Sequence, residues 1–197
     1  EDGHDQEHIL HSVEFYNPVD NLWHIDSVPE LPFGCFSIAA VVLEDKIYIT
    51  GGITSDPEHN VPVNYMHMFN PREKTWVAKE NMNVERHGHS MVAHCNQLFV
   101  FGGYITGPDT MSFDICKQNE VYDIETSQWS LLRDTPPDFE RIHSMSCVID
   151  DTICVLGGTK AQRYIYRYNK EEDRLEDAEQ CGRHVQKLVK LKVAFPG

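Results

Sequence analysis

The chain offers little to the chemistries that leave loud marks in a sequence. No apolar run approaches ~20 residues, the length a membrane helix needs. Basic residues are scarce, 17 against 31 acids, for a formal net charge of −14. That argues against nucleic acid, whose binding rests on Lys and Arg neutralising phosphates. It favours neutral or basic partners, although solubility alone would also explain it. The six cysteines form no CxxC pair and no zinc spacing. They read as reduced thiols of a cytosolic or nuclear protein. The acidic start, Glu1 to Gln6, is no signal peptide. The first residue is Glu rather than Met, so the chain reads as a segment of a longer protein. There is no GxSxG, no HExxH and no P-loop.

What the chain has is repetition. Double glycines stand at Gly51-Gly52, Gly102-Gly103 and Gly157-Gly158, in steps of 51 and 55. Tryptophans stand at Trp23, Trp76 and Trp129, in steps of 53 and 53. Tyr16, Phe69 and Tyr122 each lie seven residues before one. A fourth copy pairs Tyr168 with Leu175 in the tryptophan slot. Sixteen residues before each double glycine come Cys35, Arg86 and Arg141. A period near 50 points to propellers. Between landmarks run short stretches rich in Val, Ile, Tyr and Phe, suited to half-buried strands. The turns before the double glycines are read as Glu44-Asp45, Asn96-Gln97 and Asp150-Asp151.

The segments FYNPVDNLW, IYITGG with MFNPREKTW, RHGHSM with LFVFGG and VYDIETSQW, and RIHSMS with ICVLGG and RYNKEEDRL carry a resemblance. They resemble the kelch repeat, over nearly the whole chain. The resemblance implies an all-β, kelch-type β-propeller of four-stranded antiparallel blades. It has four blades, or is the C-terminal part of a larger ring; six blades would need ~300 residues at this period. Residues 1–197 then form one propeller domain or part of one. Residues 33–76, 86–129 and 141–175 are full repeats. Residues 12–25 and 183–197 are partial and can complete one composite blade. A lone four-stranded sheet cannot bury both faces, whereas radial packing buries them. Trp23, Trp76 and Trp129 are expected in the core, as wedges between blades. The six glycines of the doublets are structural.

No catalytic residue, metal or cofactor is expected. His87, His89 and His94 crowd one stretch, and an i, i+2 pair on a strand shares a face, but no acid or cysteine accompanies them at equivalent repeat positions. His4, His8 and His11 fall in a polar stretch that reads as a mobile terminus. Binding is the better expectation. The resemblance implies that Arg86, Arg141 and Arg183, at the starts of successive inner strands, point toward the channel mouth. A guanidinium there can grip a carboxylate in two bonds, or can tie blades together through backbone carbonyls. Both readings stand. Cys35 replaces arginine in the first full repeat, which weakens any basic pocket there. Residues after the doublets vary most in length and face the same mouth in the family: Ile53 and Ser55, Tyr104 and Thr106, Thr159 and Lys160. Tyr104 is the leading contact, since aromatics dominate interface energetics.

The function so implied is a non-enzymatic protein-interaction module. It fits the substrate-recognition domain of a cullin-3 RING E3 ubiquitin ligase adaptor, whose N-terminal BTB and BACK domains hold the ligase. An actin- or cytoskeleton-binding kelch protein is the alternative. A kelch-propeller metal oxidase is the third reading.

Overall fold

The computed structural model describes residues 9–25, 27–55, 60–108, 112–136, 144–156 and 165–177. All regular structure among them is β. The first two strands, β1 (Phe15–Asn17) and β2 (Leu22–His24), make a two-stranded ribbon. Three four-stranded sheets follow. The first joins β3 (Ala39–Leu43), β4 (Lys46–Thr50), β7 (Met66–Asn70) and β8 (Thr75–Ala78) in that order. The second joins β9 (Ser90–His94), β10 (Gln97–Phe101), β13 (Asn119–Asp123) and β14 (Gln128–Leu132). The third joins β15 (Met145–Ile149), β16 (Thr152–Leu156), β17 (Ile165–Asn169) and β18 (Arg174–Asp177). Every pairing is antiparallel. Strand β9 packs between β3 and β15, so the innermost strands of the three sheets are neighbours and the sheets stand as successive blades.

Two kinds of turn fix each blade. The innermost hairpins close with two residues, both at positive φ: Glu44 and Asp45 at 51° and 59°, Cys95 and Asn96 at 47° and 59°, Asp150 and Asp151 at 47° and 63°. Two left-handed residues make a type I′ turn, whose twist matches the flanking strands. The second turn is therefore Cys95-Asn96, one residue earlier than the expected Asn96-Gln97. The outer hairpins close with four residues, the last of them left-handed: Asn21, Lys74, Ser127 and Asp173. Each is seeded by the Asn or Asp that follows the repeat's aromatic. Asn17, Asn70, Asp123 and Asn169 accept the backbone N–H of Val19, Arg72, Thr126 and Glu171 through a side-chain oxygen, at 2.9 to 3.1 Å. This Asx turn is the physical reason for the recurring Tyr-Asp or Tyr-Asn pair.

The core lies in the seams, and strand alternation builds it. On β10, Leu98 and Val100 point into the first seam, with Tyr48, Met66, Met68, Met91 and Tyr122. Phe99 and Phe101 point the other way, into the second seam, with Val155, Tyr166, Tyr168 and Leu175. Period-two alternation alone sends neighbouring residues to opposite faces. Each fully buried side chain of this size contributes about 1.5–3 kcal/mol.

The periodic tryptophans sit at the seam edge rather than in the core. Trp76 and Trp129 are half-buried and lean on the aromatic directly across their hairpin, Phe69 and Tyr122, with ring centroids 5.0 and 5.1 Å apart. Each indole N–H donates to a connector between blades, Trp76 to Pro29 O at 3.1 Å and Trp129 to Glu80 O at 2.7 Å. They clamp connectors. Trp23 leans on Tyr16 in the same way but is 64% exposed, because none of the described residues covers it. The expectation of core indoles is corrected in part: Trp76 and Trp129 are half-buried connector clamps, Trp129 also packing against the core of the first seam, and Trp23 has no cover among the described residues.

Gly157, Gly158 and the 183–197 tail lie outside the described residues, so the composite blade is neither built nor excluded. His11 O accepts a hydrogen bond from Leu31 N at 2.8 Å, which ties that part of the N-terminal stretch to the connector before the first blade.

Candidate functional site

The doublets set up one end of the blades. Gly51 and Gly52 have φ of 58° and 98°, and Gly102 and Gly103 of 66° and 92°. A Cβ on Gly51 would lie 2.4 Å from Arg86 O, and one on Gly103 2.6 Å from His87 O. Both conformation and crowding therefore require glycine. The close approach is used, since Gly52 N donates to Arg86 O of the next blade at 2.9 Å.

Beyond each of the first two doublets the chain does not wander; it folds into a small hairpin. Strands β5 (Ile53–Ser55) and β6 (Asn60–Pro62) form one, β11 (Tyr104–Thr106) and β12 (Phe113–Ile115) the other. Each is stapled to the residue that leads into its own inner strand. Phe36 and Ile53 exchange backbone bonds of 3.1 and 2.9 Å, and His87 and Tyr104 bonds of 3.0 and 2.8 Å. No strands were expected here from the sequence, where the stretches after the doublets differ in length.

Aromatic groups gather at this end. The His87 ring lies 5.4 Å from Tyr104 and 4.7 Å edge-on from Phe113. Tyr104 is half-buried, while Phe113 and Phe36 are 42% and 44% exposed. Ser55 and Thr106, at the ends of their strands, are exposed. Phe36 and Phe113 were not singled out from sequence. Phe36 could have been, since it holds the repeat position of His87.

Arg86 is elsewhere in character. It is completely buried, as is Glu120, and their side chains meet at 2.8 Å. Arg86 Nη1 also donates to Gly102 O at 3.1 Å and Gln118 O at 2.6 Å. Glu120 accepts from Asn83 N at 2.7 Å, Asn83 Nδ2 at 2.8 Å and Val84 N at 3.1 Å. Arg86 has no face open to a partner: its side chain ties together its own blade, and Glu120 carries the tie on to the connector before it, while Arg86 reaches the first blade only through its backbone. The first blade lacks both members, with Cys35 at the Arg86 position and His67 at that of Glu120. In the third blade Tyr166 takes the carboxylate position. Arg141, Arg183, Thr159 and Lys160 lie outside the described residues.

The three histidines do not converge. His87 and His89 precede β9, and the left-handed Gly88 between them, φ 60°, breaks strand alternation. His89 is buried against Thr50 Oγ1 at 2.8 Å. Burial first, then the charges of Arg86 and His87, lowers its pKa to about 3, so it is neutral at physiological pH. His94 is at the opposite end of β9.

The Attractin/LZTR1 beta-propeller family model matches residues 2–185. The chain belongs to that family. This kelch-type propeller is 32% identical over 168 residues to zebrafish (Danio rerio) Kelch-like protein 15, covering 79% of the chain and 27% of the relative. Human Kelch-like protein 15 is 28% identical over 172 residues, with the same coverage of 79% and 27%. Kelch-like protein 26 of Danio rerio is 28% identical over 180 residues, covering 88% of the chain and 28% of the relative. The propeller thus spans about a quarter of the length of the curated relatives it matches. They support a protein-interaction module of kelch type.

Proposed function

We propose that the chain is the substrate-recognition propeller of a cullin-3 RING E3 ubiquitin ligase adaptor, non-enzymatic itself and working in the cytosol or nucleus. It forms one propeller domain or part of one. The substrate, a protein or peptide, docks on the double-glycine end. The observation that carries this is the pair of stapled hairpins presenting Phe36, Ser55, Tyr104, Thr106 and Phe113 on neighbouring blades. Rigid aromatics offer large contact area at low entropy cost, and held hairpins lose little freedom on binding. Arg141, Arg183, Thr159 and Lys160 extend this surface in the proposal, whereas buried Arg86 supports it from beneath. The cullin-3 partner would be held by domains outside this chain.

The test is affinity capture with the full-length parent protein, wild type and Tyr104→Ala/Phe113→Ala. Retained cullin-3 with loss of a wild-type-specific substrate supports the proposal. Absence of cullin-3 from the wild-type capture, together with co-sedimentation on actin filaments, would replace it with the cytoskeletal reading.

A further inference from the structure

At the end of the blades away from the doublets, two departures from the repeat fall side by side. The residue before each type I′ turn is Leu43 in the first blade and Ile149 in the third, but His94 in the second. The first turn residue is Glu44 and Asp150 in those blades, but Cys95 in the second. Asn, Asp or Gly is usual at this positive-φ place, which Cys95 holds at 47° and its counterpart Glu44 at 51°.

Both replacements converge on the next blade. His94 Nε2 lies 3.3 Å from Cys95 Sγ and 3.7 Å from Asp151 Oδ1, and the three donor atoms lie within 4.8 Å of one another. A tetrahedral zinc ion with ordinary Zn–N, Zn–S and Zn–O lengths sets its ligands about 3.3–3.6 Å apart. Imidazole, thiolate and carboxylate together suit Zn²⁺ and not Mg²⁺ or Ca²⁺, which take oxygen. Cys95 and Asp151 stand on the two-residue turns of adjacent blades and His94 ends β9, and Asp151 is 89% exposed, so an ion has an open route in. A groove of about 540 Å³ continues from the trio along Arg167, Tyr168 and Lys170.

We propose that His94, Cys95 and Asp151 form a Zn²⁺-class metal site bridging the second and third blades. Three protein ligands leave a fourth position facing the groove, for water or a donor from a docking partner. Binding replaces the thiol proton with the Zn–S bond and releases that proton to solvent. The site was invisible to motif reading because its donors come from two repeats and from positions apolar or acidic in the others.

Cobalt(II) titration of the reduced, metal-stripped full chain tests it. The expected result is saturation at one equivalent, with a thiolate-to-cobalt charge-transfer band and tetrahedral d–d bands that Zn²⁺ displaces. Cys95→Ser should abolish the charge-transfer band, and His94→Leu and Asp151→Asn should each weaken binding at least tenfold. His94→Leu restores the residue of the first blade, so the metal-free melting temperature checks folding independently. Cys147→Ser should change nothing. No saturable equivalent, or a charge-transfer band that survives Cys95→Ser, would overturn the proposal. Binding by the N-terminal histidines would show no such band.

Discussion

Arg86→Met removes a buried cation whose bonds reach two carbonyls and a carboxylate. Breaking one partner of a buried pair costs about 3–5 kcal/mol, because the survivor is left charged and dry. For a chain of this size each kcal/mol moves the melting temperature about 2–4 °C, so a drop of roughly 6–20 °C is expected. The sharper test is a change of sign. In the wild type, Glu120→Gln should destabilise, since it strands the Arg86 charge. In the Arg86→Met background it should be neutral or stabilising, since it removes the stranded carboxylate while a side-chain oxygen remains for Asn83 or Val84. The coupling should reach about 1–3 kcal/mol. Thermal or urea unfolding of the four proteins gives the cycle. Additive effects, or a loss below about 1 kcal/mol for Arg86→Met, would refute the buried tie and return Arg86 to the partner surface.

Tyr104→Ala and Phe113→Ala, measured on the captured substrate by titration, should each weaken binding about tenfold or more while the melting temperature moves by no more than a few degrees. His89 keeps a pKa of about 3 when folded but an ordinary value near 6.5 when unfolded, so the unfolded chain takes up a proton first as pH falls. Its share of stability is therefore whole above pH 6.5 and shrinks below it, by about 2 kcal/mol at pH 5. A His89→Gln variant should show a stability curve flatter by that amount between pH 7 and 5; identical curves would contradict the burial. Trp129→Phe keeps a ring on Tyr122 but loses the bond to Glu80 O, for about 1 kcal/mol in chemical denaturation. Trp23→Ala should be nearly silent in the same assay.

The blades were legible because their causes are local. A doublet that must turn at positive φ, an Asx turn after each aromatic, and strand alternation all leave marks within ten residues. One mark was misread. The turn at Cys95-Asn96 looked like Asn96-Gln97 because Leu98 to Phe101 are apolar on both faces and carry no alternation. The distance back from the doublet would have settled it, for the first turn residue is seven before the glycine in all three blades. What did not show was long-range. Glu120 lies 34 residues from Arg86, and the third blade carries arginine without the acid, so repetition gave no hint of the pair. The metal trio is hidden for the same reason. The indoles were over-buried because a periodic tryptophan reads alike as a wedge or a clamp; the carbonyl each one meets lies 47 and 49 residues away.

The blade-against-blade packing itself is most directly tested by a bridge between inner strands. Ser90 Oγ and Ser146 Oγ lie 2.6 Å apart, 56 residues apart in sequence. With Ser90→Cys and Ser146→Cys together, mild oxidation should give a disulfide between positions 90 and 146, found by peptide mapping, with neither single variant yielding it. A double variant that folds yet joins either position preferentially to some other cysteine would show that β9 and β15 are not neighbours.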